Sequence, residues 1–68
     1  MAGLRNKLKV LRAERDMTQA DLASAAGVSR KTINTIENRI FVPSTVLALT
    51  LAHVLDVRVE DIFELDKT

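Results

Sequence analysis

No cysteine occurs in this chain of 68 residues, so neither a disulfide nor a thiolate metal site can staple it. Tryptophan and tyrosine are absent too. The two aromatics, Phe41 and Phe63, are too few for the stacking platforms that bind single-stranded RNA. The single histidine, His53, has no second histidine or carboxylate at metal-ligand spacing and reads as a solvated surface side chain. Nowhere do a nucleophile, a base and an orienting group occur together, so no catalysis, no cofactor and no metal are expected. Gly3 and Gly27 lie outside any phosphate-binding loop pattern. No window approaches the roughly 20 apolar residues of a membrane span. Met1 to Val10 lacks the apolar stretch of a secretory signal, so the expected location is the cytoplasm.

What remains is a short chain with a 47% apolar composition, enough for one small helical core. A domain of this size buries only about 60% of the surface its unfolded chain exposes, and is marginal alone. Dimerisation is a common remedy. Net charge is +1, but its distribution is uneven. Residues 1–55 carry eight basic and four acidic side chains, whereas 56–68 carry two basic and five acidic ones. One end is therefore suited to face an anion and the other to turn away from it.

Residues 18–37, TQADLASAAGVSRKTINTIE, carry the densest local signals. Thr18 is a good N-cap, with Asp21 three residues on to answer an orphan backbone N–H. Gln19–Ala26 reads as a helix that stops at Gly27, which adopts the left-handed conformation of a sharp turn at little cost. Ser29, supported by Thr32, caps a second helix from Arg30 to about Asn38. Ala23, Val28, Ile33 and Ile36 point inward, leaving Arg30, Lys31, Asn34 and Thr35 on an outward polar face. Such a helix is able to enter the major groove of DNA. Arg or Lys donates to guanine, Asn pairs with adenine, and the Thr methyl packs on a thymine methyl. Without the flanking turn, the same face would read as solvated surface.

The rest of the chain reads as three further helices. Leu4, Leu8 and Leu11 are at helical spacing, which predicts a first helix over about Leu4–Arg15. Pro43 and the N-cap Ser44 open a fourth, Thr45–Leu55, with Leu47, Ala48, Leu51, Ala52 and Leu55 inward. Val46 and Leu49 add apolar surface to its other side. A short fifth helix is expected at Glu60–Phe63, then a tail whose apolar Leu65 suits a brief strand or a frayed end. In the loop NRIFVPS, a positive φ would fall most comfortably on Asn38.

TQADLA…GVSRKTINTIE resembles the helix-turn-helix of the Cro/repressor-type (XRE) family. The resemblance extends from Arg5 to Phe63, about nine-tenths of the chain. It is closest to the minimal type, in which residues 1–68 form a single helix-turn-helix domain. It implies an all-α, five-helix, lambda-repressor-like fold, with a short terminal β-element in some relatives. By the same resemblance, Gln19 clamps the DNA backbone and Ser29, Arg30, Lys31, Asn34 and Thr35 face bases or phosphates. Arg39 is expected to reach phosphate, although many relatives have glycine in this loop. Arg12 and Glu37 match a structural arginine–glutamate pair that ties the first helix to the third.

The function implied is sequence-specific binding of double-stranded DNA by a transcriptional regulator, most simply a repressor. One recognition helix reads too few base pairs to select a site in a genome, so a homodimer on a two-fold operator is expected. Its expected interface is Phe41, Val57, Val59, Ile62 and Leu65. The alternative is an antitoxin or other protein-interaction module on the same fold. No small-molecule ligand is evident.

Overall fold

The computed structural model describes residues 3–66. The elements run β1 (Gly3–Asn6), α1 (Leu8–Glu14), α2 (Gln19–Ala26), α3 (Arg30–Glu37), α4 (Thr45–Leu55), α5 (Val59–Ile62) and β2 (Phe63–Asp66). The five helices share one core made of Leu8, Leu22, Ala23, Ile33, Ile36, Leu51, Ala52, Leu55 and Ile62. Leu47, Val54, Val57, Val59 and Phe63 pack around its edge. None of the helices is long and apolar enough to cross a membrane among the described residues.

Side-chain caps set where three helices begin. Thr18 Oγ1 accepts from Asp21 N at 3.0 Å while Asp21 Oδ2 accepts from Thr18 N at 2.9 Å, a reciprocal capping box. Ser29 Oγ accepts from Thr32 N and Ser44 Oγ from Leu47 N, both at 3.1 Å. These are the positions expected from sequence, and α2 and α4 have the expected bounds.

The first helix is shorter than its leucine spacing predicts. Residues Gly3–Asn6 form an antiparallel strand against β2, in the register Gly3↔Asp66, Leu4↔Leu65, Arg5↔Glu64, Asn6↔Phe63. Leu4 therefore belongs to the sheet, and Phe63 ends the fifth helix by entering β2. Lys7 N donates to Ile62 O at 2.8 Å, which extends the pairing by one bond. Asn6 then opens α1, its Oδ1 accepting from Leu8 N at 3.1 Å.

Positive φ falls on Asp16 (53°), Arg39 (62°) and Asp56 (56°), besides Gly27 (75°). Asn38 keeps a φ of −89°, so the expectation for that residue is corrected. The reason is the way α3 closes: Arg39 N donates to Ile36 O at 3.0 Å and Ile40 N to Thr35 O at 2.9 Å. That pair of bonds is a Schellman closure, and it places the left-handed residue one position after Asn38.

Candidate nucleic-acid interface

α3 presents Arg30, Lys31 and Asn34 to solvent, with Thr35 half-buried beside them. Among the described residues, neither Arg30 nor Lys31 forms an ion pair, and the Asn34 side-chain amide makes no internal hydrogen bond. These three side chains keep their full donor and acceptor capacity for a partner. Thr35 differs, because its hydroxyl faces the carbonyls of Lys31 and Thr32, each at 3.0 Å. With its hydroxyl turned back on its own helix, Thr35 has only its methyl to offer as a contact, the kind of group that packs on a thymine methyl. Ser29 is exposed, its Oγ shared between the Thr32 N–H and the Thr32 hydroxyl, the latter at 2.9 Å.

Beneath this face lies an ion pair. Arg12 Nε donates to Glu37 Oε2 at 2.8 Å and Nη2 to Oε1 at 3.2 Å, a two-pronged contact that lysine cannot reproduce. Arg12 Nη1 also donates to Met17 O at 2.8 Å. The side chains are 13% and 4% exposed. Burial pushes the Glu37 carboxyl upward, but hydrogen bonds from Arg12 and Gln19 and the charges of Arg12 and Lys9 outweigh it, holding it below its usual value. The hydrogen bond to Glu37 raises the Arg12 guanidinium further above neutrality. A carboxylate at a helix C-terminus opposes the dipole, and the arginine compensates.

Gln19 joins the same pair, its Nε2 donating to Glu37 Oε1 at 3.0 Å. The sequence puts Gln19 at the start of α2 but carries no signal for this bond, which spans 18 positions and exists only once α2 and α3 cross.

Arg39 is turned elsewhere. Its Nε donates to Leu4 O at 3.1 Å and its Nη2 meets Asp66 Oδ2 at 2.9 Å. The guanidinium bonds to the sheet while its side chain stays 47% exposed, and an exposed pair of this kind does not exclude the phosphate contact expected of it. The expected dimer surface needs correction at Ile62, which is 1% exposed and belongs to the protein's own core. Val57 and Val59 are half-buried against that core, while Phe41 and Leu65 are exposed. Ile40 and Val42, which helical and strand patterns do not single out, are left in solvent by the loop closure. With Val46 and Leu49 they sit in a stretch, residues 40–52, that has no charged side chain. Leu4, Pro43 and Phe63 line two adjoining grooves in this region. One groove is walled by Leu49 and Val59 and the other by Phe41 and Val42.

His53 is exposed on α4, and among the described residues no three His, Cys, Asp or Glu side chains gather as metal ligands would.

A capped two-helix turn, a second helix with an uncommitted polar face, and three supporting helices define the class of helix-turn-helix DNA-binding domains. Comparison with known proteins agrees: a helix-turn-helix family model matches residues 8–62. The chain is 48% identical over 60 residues to an uncharacterized HTH-type transcriptional regulator of Methanocaldococcus jannaschii, covering 88% of this chain and 91% of that one. It is 38% identical over 64 residues to the uncharacterized HTH-type transcriptional regulator YgzD of Bacillus subtilis, covering 94% and 97%. Among solved structures, the restriction-modification controller protein C.AhdI of Aeromonas hydrophila superposes with a TM-score of 0.76 at 30% identity, over 79% of this chain and 82% of that one. The chain belongs to the helix-turn-helix family of DNA-binding transcriptional regulators, which is not a family of enzymes.

Proposed function

We propose that this protein is a sequence-specific repressor that binds double-stranded DNA as a homodimer on a two-fold operator and acts in the cytoplasm by occluding a promoter. The observation that carries this is the contrast within α3. Its inward side is buried and its C-terminal Glu37 is locked by Arg12, while Arg30, Lys31 and Asn34 point outward with no internal partner among the described residues. A rigid helix with free donors on one face reads base edges without first breaking bonds of its own. Arg30, Lys31 and Asn34 supply hydrogen bonds, Thr35 its methyl, and Ser29 and Gln19 contacts to the backbone.

Two-fold pairing supplies a second copy of α3 about 34 Å away, one helical turn along the duplex. Phe41, Val46 and Leu49, all within the uncharged stretch 40–52, and Leu65 supply exposed apolar surface suited to self-association about a two-fold axis. A stable contact needs about 800 Å² per partner, roughly a sixth of the 4657 Å² the protein exposes. The same apolar surface favours one other reading, a protein-interaction module such as an antitoxin. Titration of labelled DNA from upstream of the protein's own gene separates the two. Binding by the protein alone, competed weakly by unrelated duplex, supports the repressor. Binding that appears only with a second protein present supports the module.

A further inference from the structure

The amide of Gln19 has two ends of opposite character, and only one suits an anion. Its Nε2 donates, whereas its Oε1 repels a phosphate oxygen. In an open environment the amide flips between the two. Here the choice is made by Glu37, whose carboxylate only accepts, so the Nε2 end must face it at 3.0 Å. Glu37 is in turn fixed by two bonds from Arg12, on the side chain that also holds Met17 O. The Arg12 cation offsets the carboxylate charge, so the site is not closed to an anion.

We propose that Glu37 is a positioning residue for DNA binding: through its bond to Nε2 it holds the Gln19 amide with the second N–H outward, ready for a phosphate oxygen. This rests on the DNA-binding reading above and adds a role for the Arg12–Glu37 pair beyond joining α1 to α3. Without it, Gln19 must lose its rotational freedom at the moment of binding. With it, that order is already present in the free protein.

The test is a double-mutant cycle on DNA affinity, using Gln19→Ala, Glu37→Gln and the two combined. Circular dichroism would establish that each variant is folded at the assay temperature. A glutamine at position 37 presents both a donor and an acceptor, so it no longer selects one end of Gln19. Glu37→Gln should weaken binding about threefold to tenfold in the unaltered background, and less than about twofold when position 19 is alanine. Gln19→Ala removes only a neutral donor, so in that variant the dependence of affinity on salt should stay as it is. An equal loss in both backgrounds would mean that Glu37 acts only on stability, and would overturn the proposal. So would a Gln19→Ala protein with unaltered affinity. If Glu37→Gln does not fold, Glu37→Asp retains the charge for Arg12 while withdrawing the carboxylate from Gln19, and the same cycle applies. Nuclear magnetic resonance of the unaltered protein needs no variant: the Gln19 Nε2 signal should move when duplex is added, and a signal that stays in place while others move overturns the role. Failure of the unaltered protein to bind any duplex is a different result, which removes the DNA-binding function and this inference together.

Discussion

Arg12→Ala is the substitution that tests the packing of α1 on α3 most severely. The change leaves Glu37, a carboxylate 4% exposed, without its cation. Breaking a buried pair from one side costs about 3–5 kcal/mol, far more than the pair contributes relative to apolar replacements. The Met17 carbonyl loses a donor as well. A domain of this length has a total stability of roughly 3–10 kcal/mol. The variant should therefore sit close to its unfolding transition at room temperature. With a urea dependence of about 1 kcal/mol per molar, the midpoint should fall by about 3–5 M, or folding be lost where the protein's stability is less than that. Melts should be run at fixed protein concentration, since a dimer's midpoint depends on it. Replacing both residues, Arg12→Met with Glu37→Met, should recover most of the loss, because no charge then remains buried. A single Arg12→Ala variant with an unshifted midpoint would refute the structural role of the pair. If DNA binding were lost at the same time, Arg12 would act on DNA binding, directly or through Glu37 and Gln19.

Acid should expose the same pair. The Glu37 carboxyl is lowered in the folded protein from an ordinary value of 4.5, so the folded state binds fewer protons than the unfolded one in that range. Its contribution is complete above about pH 4.5 and is lost as pH falls through the lower folded value, so Glu37→Gln should flatten the acid limb of a stability curve measured by denaturant melts. Parallel curves would exclude Glu37 as a source of acid sensitivity. Lys31→Ala should reduce the slope of log affinity against log salt by about 0.9 if its ammonium meets a phosphate, and should leave that slope nearly intact while relaxing preference at one base pair if it meets a guanine; no change in either would remove Lys31 from the interface. Val46→Glu and Leu49→Glu should each shift sedimentation toward monomer at micromolar concentration, whereas Val10→Glu, at an exposed position on α1, should not. A dimer indifferent to both α4 changes would exclude this surface, and an unaltered protein that is monomeric both free and on DNA would exclude the dimer.

Those parts of the fold set by residues close in sequence are legible in the sequence itself. Thr18 with Asp21, Gly27, Ser29 and Ser44 after Pro43 act within a few positions, and the bounds of α2 and α4 follow from them. The left-handed residues Asp16, Arg39 and Asp56 are less legible in this way: aspartate tolerates a positive φ, but arginine has no such preference, and in each case the helix closure makes the choice. Each stands where the following N–H reaches back to the helix: Met17 N to Arg12 O at 3.1 Å, Ile40 N to Thr35 O at 2.9 Å, Val57 N to Ala52 O at 3.0 Å. Backbone satisfaction overrides the cost of a positive φ at a residue with a Cβ. The outward face of α3 is readable from helical period, whereas Gln19 on Glu37 and Arg39 on Asp66 depend on which elements cross.

Leu4 shows most clearly why a local pattern fails. Its spacing from Leu8 and Leu11 fits a helix, and a four-residue strand leaves too little alternation to compete. The deciding partner, Leu65, lies at the other end of the chain. Once β1 and β2 pair, the consequences reach α3, the helix we propose to face DNA. Asn6 Nδ2 donates to Ile36 O at 2.9 Å, taking up a carbonyl in the last turn of α3. Arg39, the left-handed residue just past α3, is held by Leu4 O on one strand and Asp66 on the other. Arg12 fixes Glu37 from α1. The C-terminal end of α3 is thus held from α1, α2, β1 and β2, while its N-terminal end has the Ser29 cap. That asymmetry fits the proposed role of α3: the end proposed to enter the groove is left clear, and the helix is oriented from its other end.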